Sequence, residues 1–210
     1  MTLDRPLVLA TKNNGKISEF RDLFNKSGIE IKTLDDFGPI PPVIEDGATF
    51  EENAVKKAQF TARVLGVPAI ADDSGLTVKA LQGAPGVFSA RYAGENADDE
   101  SNNRKLLAEM EDVEDRTAAF VCVLAIAVPR GPALIYEGTC EGLVAETPRG
   151  DQGFGYDPLF YYPPFQKTFA QLTRKEKNSI SHRGRAIEEL RGELDRVIIW
   201  LEQRLKEEPF

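Results

Sequence analysis

The chain has 210 residues, of which 41% are hydrophobic, so it is long and apolar enough for one domain with its own core. Its formal net charge of −8 argues against a general binder of nucleic acids or membrane surfaces, because phosphate-rich surfaces require a cationic face. A small anionic ligand is compatible with this charge if cationic side chains cluster at its binding site.

The cysteine and histidine content limits the chemistry further. Cys122 and Cys140 lie in apolar, strand-like segments, and no signal-like apolar segment follows Met1, so we expect a reduced, cytoplasmic location. No apolar run approaches the ~20 residues that a membrane-spanning helix needs. With His182 as the single histidine, a histidine-rich metal cluster is excluded.

The first predicted strand, residues 6–10, is followed by a polar turn and a helix. The turn reads TKNNGK over residues 11–16, and apolar residues then recur at helical spacing. Such a turn presents backbone N–H groups to anions, and Lys12 and Lys16 add positive charge. The spacing of a Walker A loop is absent, so the turn is either a phosphate site or an ordinary polar connection.

A proline-rich connector, residues 39–42, leads to Glu45 and then to a helix. Thr49 and Glu52 have the spacing of a capping box at its start. Glu45 either complements the helix dipole or binds a metal ion, and the second role requires Asp73 nearby in space. On the helix, Lys57 could face a cleft or solvent. The apolar face of this helix is predicted to be Ala54, Ala58, Ala62 and Leu65.

Two adjacent carboxylates, Asp72 and Asp73, follow an apolar run at residues 67–71 and precede Ser74 and Gly75. The run predicts a short buried strand, so we expect the acid pair where the strand ends and the chain turns. Ligands bind at such strand ends in open α/β sheets, and a divalent cation such as Mg²⁺ would hold the pair together. A solvated turn explains the same residues.

The middle of the chain is interpreted as scaffold. Asp98 or Asp99 is expected to cap an amphipathic helix through Met110, in which nothing suggests chemistry. Residues 117–128 and 133–144 predict a long hairpin, whose first strand is apolar enough to be covered on both faces.

Two later segments could line a ligand pocket. Glycines loosen the backbone around Phe154, which could stack on a planar base or plug a core. Residues 173–184 gather cationic side chains in an otherwise acidic chain, as a phosphate or base pocket would require. Ser181 is expected to cap one continuous last helix, with His182 and Arg183 in its first turn.

Taken in order, these segments resemble the inosine triphosphate pyrophosphatase family, which hydrolyses the non-standard purine nucleoside triphosphates ITP, dITP and XTP to the monophosphate and pyrophosphate. The resemblance implies an α/β fold with an elongated central mixed sheet flanked by helices. It also implies a single domain over residues 1–210, two lobes with a substrate cleft between them, and a homodimer. The motifs that carry it are TKNNGK (11–16), EDG and TF (45–50), ADDSGL (71–76), GVFSAR (86–91), GFGYDP (153–158), and KN with SHR (177–183).

The resemblance further implies roles for individual residues. Glu45 and Asp73 would bind Mg²⁺, and Asp73 would also act as the base that prepares the attacking water. Lys16 would supply the principal charge at the triphosphate, and Lys57 would face the phosphates. The implied substrate contacts are Thr11, Lys12, Asn13, Asn14, Gly15, Lys16, Ser74, Phe154, Gly155, Tyr156, Asp157, Lys177, His182 and Arg183.

Base selection follows from hydrogen bonding. His182 and Arg183 could donate to the 6-oxo group of hypoxanthine or xanthine, whereas adenine would leave these donors unpaired at a cost of about 1 to 3 kcal/mol. One alternative is a related septum-inhibitor pyrophosphatase acting on pyrimidine or methylated nucleotides, against which the SHR motif and the 153–157 loop argue. Another is a non-catalytic nucleotide sensor, which the carboxylates disfavour. A Rossmann oxidoreductase is disfavoured because G-x-G-x-x-G is absent after the first strand.

Overall fold

A computed structural model describes residues 5–24 and 29–207 of the chain. Seven strands form one sheet in the order β2-β1-β3-β4-β5-β6-β7. The strands are β1 Leu7–Leu9, β2 Ile31–Thr33, β3 Ala69–Val78, β4 Thr117–Ala127, β5 Ala133–Val144, β6 Phe160–Tyr162 and β7 Lys167–Thr168. The helices are α1 Asn14–Phe24, α2 Phe50–Leu65, α3 Asp99–Glu109, α4 Arg174–Ile180, α5 His182–Gly192 and α6 Leu194–Glu207.

The sheet is mixed, as predicted. Strand β1 pairs in parallel with β2 and β3, whereas β6 pairs antiparallel with β5 and β7. The α/β class is therefore confirmed, while the elongated shape and the cleft stay predictions. None of the helices within residues 5–24 and 29–207 combines the length and hydropathy needed to cross a membrane.

The chain divides into two compact units. Unit 1 falls within residues 1–73, 123–137 and 186–210, and unit 2 within residues 74–122 and 138–185. In unit 1, all of β1 is buried, and so are Ala54, Ala58 and Ala62 of α2, whereas Leu65 is only half-buried. In unit 2 the core includes packed aromatic rings, with those of Phe120 and Phe160 4.5 Å apart.

Several local predictions are confirmed. Thr49 accepts a hydrogen bond from the Glu52 N–H at the start of α2, and Asp98 rather than Asp99 caps α3. Strands β4 and β5 are neighbours in the sheet, and β4 is buried from Cys122 to its end. Ser181 Oγ accepts from the Gly184 N–H in the first turn of α5.

The predicted single last helix is wrong. The chain forms α5 and α6, which are separated at Glu193, whose N–H bonds to the Leu190 carbonyl three residues back instead of continuing the α-helical pattern. Gly192, which has low helix propensity, precedes this break. The buried apolar residues keep helical spacing across this break, with Leu194 half-buried among them: Ile187, Leu190, Val197, Ile198 and Leu201.

Candidate active site

The acid pair does not lie in a turn. Strand β3 runs through Asp72, Asp73 and Ser74 to Val78, so the predicted strand end at Ala71 is wrong, and so is the solvated turn. Because successive side chains of a strand point to opposite faces, the two carboxylates do not form one joint site. Each of them is matched by a lysine from a different helix.

Asp72 pairs with Lys16 of α1. The two charged groups are 2.7 Å apart, and the Asp72 side chain is only 1% exposed. A buried carboxylate is tolerated when it is paired and hydrogen-bonded, and Lys16 provides that pairing. The lysine assigned to the triphosphate is therefore fixed in place by the first carboxylate of the acid pair.

The turn before α1 is held by Asn13. Its Oδ1 accepts hydrogen bonds from the N–H groups of Gly15 and Lys16, at 2.9 and 3.2 Å, and its own N–H donates to Thr11 Oγ1. The predicted helix N-terminus is confirmed, but Asn13 caps two of its amides, so an anion at those amides would have to displace Asn13 Oδ1. Lys12 is exposed, and the Asn14 side chain lies outside the described residues.

Asp73 and Glu45 share one cation, the ammonium of Lys57. Lys57 Nζ lies 2.7 Å from Glu45 Oε2 and 3.2 Å from Asp73 Oδ1. The structure thus brings together the two carboxylates that were assigned to metal binding from distant parts of the sequence. The other carboxylate oxygen, Asp73 Oδ2, is buried and has no hydrogen-bond partner among the described residues.

The electrostatics of Glu45, Lys57 and Asp73 are coupled. Burial raises the pKa of Asp73, and the charge of Glu45 raises it further, against the opposing effects of Lys57 and Asn53. Burial disfavours the charged form of Lys57, but Asp73 and Glu45 outweigh it and raise the pKa of Lys57 above its ordinary value.

The approach to Glu45 is held by Asn53 of α2. Asn53 is 1% exposed, and its Oδ1 accepts from the Gly47 N–H at 2.8 Å. A Cβ at Gly47 would lie 2.7 Å from Asn53 Oδ1 and 2.8 Å from Glu52 Cβ, so only glycine fits there. This bond fixes the backbone two residues after Glu45.

The second group of predicted residues lies in unit 2, around Asp157. Its Oδ2 accepts from the Phe154 N–H at 2.9 Å and forms an ion pair with Lys177. Lys177 Nζ also lies 4.8 Å from the centre of the Phe154 ring. Phe154 is 45% exposed, so it does not plug a core. A Cβ at Gly153 would lie 2.0 Å from Asp157 Oδ2, which explains the glycine there.

Tyr156, His182 and Arg183, by contrast, are buried. Arg183 Nη2 donates to Ser74 Oγ at 3.0 Å, which joins residues 109 apart in sequence. The His182 ring stacks on Phe120, with centroids 4.7 Å apart. The Tyr156 hydroxyl donates to the Ser89 carbonyl, so the side chain of Tyr156 anchors its loop in the core.

A protein-family model described as the Ham1 family matches residues 7–193. The chain belongs to the Ham1 family. It is 60% identical over 202 residues to a dITP/XTP pyrophosphatase from Syntrophobacter fumaroxidans, covering 96% of this chain and 87% of the relative. It is 58% identical over 202 residues to one from Desulfotalea psychrophila, covering 96% of this chain and 91% of the relative.

Solved Ham1 structures share the fold. A Ham1 protein from Coxiella burnetii superposes with a TM-score of 0.87 at 45% identity, covering 93% of this chain and 100% of that protein. The Staphylococcus aureus Ham1 protein superposes with a TM-score of 0.85 at 44% identity, covering 91% of this chain and 98% of that protein. The family resemblance carried by the sequence motifs is therefore confirmed.

Sequence reasoning about this Ham1 chain overlooked polar residues on two helices. Asn53 of α2 was not predicted to have a role, although an asparagine next to the apolar residue Ala54 is buried only when it is hydrogen-bonded. Helix α3 was interpreted as scaffold, yet Asp99 and Asn103 bind the backbone of Gly155. Their spacing of four residues shows that they share a face, but nothing in the sequence indicates what that face meets.

Proposed function

We propose that the chain hydrolyses dITP, ITP and XTP to the nucleoside monophosphate and pyrophosphate, and so cleanses the nucleotide pool. The curated relatives that carry the name dITP/XTP pyrophosphatase support this activity. The structural observation that carries it is the Lys57 ammonium held between Glu45 and Asp73. Acidic groups of this kind, gathered around a partly buried lysine, suit the hydrolysis of a polyphosphate better than its mere binding.

The donor set of the cluster fits Mg²⁺. Within the described part of the chain no group of three or more His, Cys, Asp or Glu side chains is arranged to hold a metal ion. Mg²⁺ in phosphoryl-transfer enzymes, however, is bound by one or two carboxylates, with substrate phosphates and water as further ligands. Glu45 and Asp73 would hold it, and the buried Asp73 Oδ2, which has no hydrogen-bond partner within residues 5–24 and 29–207, is a suitable ligand atom. The ion would neutralise charge on the triphosphate and favour ionisation of water.

The protein's own groups supply the other requirements. Asp73 would orient the attacking water and accept its proton, which is consistent with the raised pKa that burial gives its carboxyl. Lys16 and Lys12 would bind the negative charge of the triphosphate, with the turn of residues 11–16 around it. Lys57 would reduce the repulsion between the carboxylates of Glu45 and Asp73 and hold both toward the phosphates.

Unit 2 would recognise the purine nucleoside. The half-exposed Phe154 ring is suited to stack on the base, and Lys177 beside it remains close to that face. Arg183 and His182 would donate hydrogen bonds to the 6-oxo group, and Ser74, which contacts Arg183, would bind the sugar or a phosphate. We further propose that the enzyme works in the cytoplasm as a homodimer.

The decisive test is a panel of nucleoside triphosphates with separate detection of pyrophosphate and orthophosphate. We expect pyrophosphate release from dITP, ITP and XTP at rates well above those for ATP, dTTP and dUTP. Orthophosphate as the primary product would contradict the proposed bond cleavage. Preference for dTTP or dUTP would favour the septum-inhibitor type of activity, and binding without any turnover would favour a nucleotide sensor.

Metal dependence is tested by removing and restoring divalent ions. Hydrolysis of dITP should stop in excess EDTA and return when MgCl₂ exceeds the chelator, because the carboxylates of Glu45 and Asp73 would repel the triphosphate unless a divalent cation lies between them. Calorimetry of the chain with MgCl₂, compared with Glu45→Gln, checks the ligand assignment without activity. Full turnover in excess chelator would rule out the proposed metal.

A further inference from the structure

Both backbone polar groups of Gly155, in the 153–157 loop, are bound by side chains of helix α3. The N–H of Gly155 donates to Asp99 Oδ2 at 2.6 Å, and the Gly155 carbonyl accepts from Asn103 Nδ2 at 2.9 Å. Asp99 and Asn103 are four residues apart, so one face of α3 presents an acceptor and a donor one turn apart. Such a pair matches the two polar groups of a single residue's backbone.

The other residues around Phe154 are also fixed. Asp157 Oδ2 accepts from the Phe154 N–H, and the buried Tyr156 hydroxyl donates to the Ser89 carbonyl. Gly155 has φ +61°, a left-handed conformation that glycine adopts without strain. Phe154 is thus an exposed ring on a backbone that is held at the residues after it, which is the arrangement expected of a preorganised contact surface.

We propose that Asp99 and Asn103 are positioning residues for base recognition, because they fix the Gly155 backbone and thereby the Phe154 ring beside Lys177. This inference rests on the proposed function in assigning Phe154 to the base. Asp99 and Asn103 are not among the residues assigned above to the triphosphate or to the metal ion. Their loss should therefore weaken binding of the nucleoside while leaving recognition of phosphates unchanged.

The chain offers conservative variants and a matched control. Asp99→Ala and Asn103→Ala each remove one hydrogen bond to Gly155, whereas Asp99→Asn keeps an acceptor oxygen. Asn103→Asp would place a carboxylate where the amide now donates, so it should be at least as damaging as alanine. Glu100→Ala removes a neighbouring acidic residue from the first turn of α3, where Glu100 contacts only Arg104 among the contacts described for its side chain.

The experiment compares two inhibitors of dITP hydrolysis: inosine monophosphate, which carries the base, and inorganic tripolyphosphate, which does not. In the alanine variants we expect the inhibition constant of inosine monophosphate and the KM for dITP to rise about tenfold, as loss of one hydrogen bond allows. The inhibition constant of tripolyphosphate and kcat should stay within about twofold of the wild type. Asp99→Asn should restore most of the affinity for inosine monophosphate and dITP, and Glu100→Ala should behave as the wild type.

Hydrogen exchange provides a readout that is independent of catalysis. The peptide containing Gly155 should exchange faster in Asp99→Ala than in Glu100→Ala. The positioning role is overturned if inosine monophosphate binds the alanine variants as tightly as the wild type, or if both inhibitors weaken equally. If the wild type itself neither binds inosine monophosphate nor hydrolyses dITP, the proposed function fails, and this role fails with it.

Discussion

Asp73→Asn should lower the kcat for dITP by about 10²- to 10⁴-fold, the range typical of a lost general base, while nucleotide affinity changes little. Asparagine keeps the size of the side chain but can neither accept the proton of water nor carry the negative charge that faces Lys57. Steady-state kinetics with pyrophosphate detection should show the loss in kcat, with KM little changed.

Asp46→Asn is the matched control for this variant. Asp46 is also an aspartate paired with a lysine of α2, Lys56, but its side chain is 66% exposed and lies outside the cluster. It should retain wild-type turnover. An Asp73→Asn enzyme with wild-type turnover would remove Asp73 from the role of base and leave it, at most, as a metal ligand.

Lys177→Met should destabilise the protein by about 3 kcal/mol, because it leaves the buried Asp157 carboxylate without its ion-pair partner. The side chain of Asp157 is only 3% exposed, so water cannot replace the ammonium. Urea denaturation measures the change in the free energy of unfolding. The loop around Phe154 should become more mobile at the same time, since Asp157 also accepts the Phe154 N–H.

A double variant separates the lost pairing from the lost side chain. In Lys177→Met with Asp157→Asn, the uncompensated charge is gone and the amide oxygen can still accept from Phe154, so the double variant should be more stable than Lys177→Met alone. Lys56→Met, which breaks the exposed pair with Asp46, should cost no more than about 1 kcal/mol. If the changes in the free energy of unfolding of Lys177→Met and Asp157→Asn simply add in the double variant, the proposed coupling between the two side chains is contradicted.

Local signals in the sequence predicted local structure well. The Thr49 and Ser181 caps, the β4–β5 hairpin and the helical N-terminus after residues 11–13 depend on short-range spacing, and each is present. The acid pair was misplaced because Asp-Asp-Ser-Gly is favourable turn chemistry when read alone. Its inclusion in β3 depends on tertiary context, which overrides local propensity.

The partners of the site residues could not be read from spacing. Ser74 and Arg183 are 109 residues apart, and Asn103 reaches Gly155 over 52 residues. The motifs identify the chemical groups, but only the folded structure shows that Lys16 pairs with Asp72, whereas Lys57 pairs with both Glu45 and Asp73. The helix break at Glu193 was missed because the apolar spacing continues across it unchanged.

The parallel pairing of β1 and β3 has a consequence for catalysis. The chain passes from β1 through the Asn13 cap to Lys16, while Asp72 and Asp73 follow Ala69 and Ile70, which are aligned with Val8 and Leu9. Slippage of β3 by one position would displace each carboxylate by about 3.3 Å and send it to the opposite face of the sheet. Main-chain hydrogen bonds such as that from the Ala10 N–H to the Ile70 carbonyl therefore keep the two aspartates aligned with their lysine partners. Ala10 and Ile70 themselves have no role in the proposed chemistry.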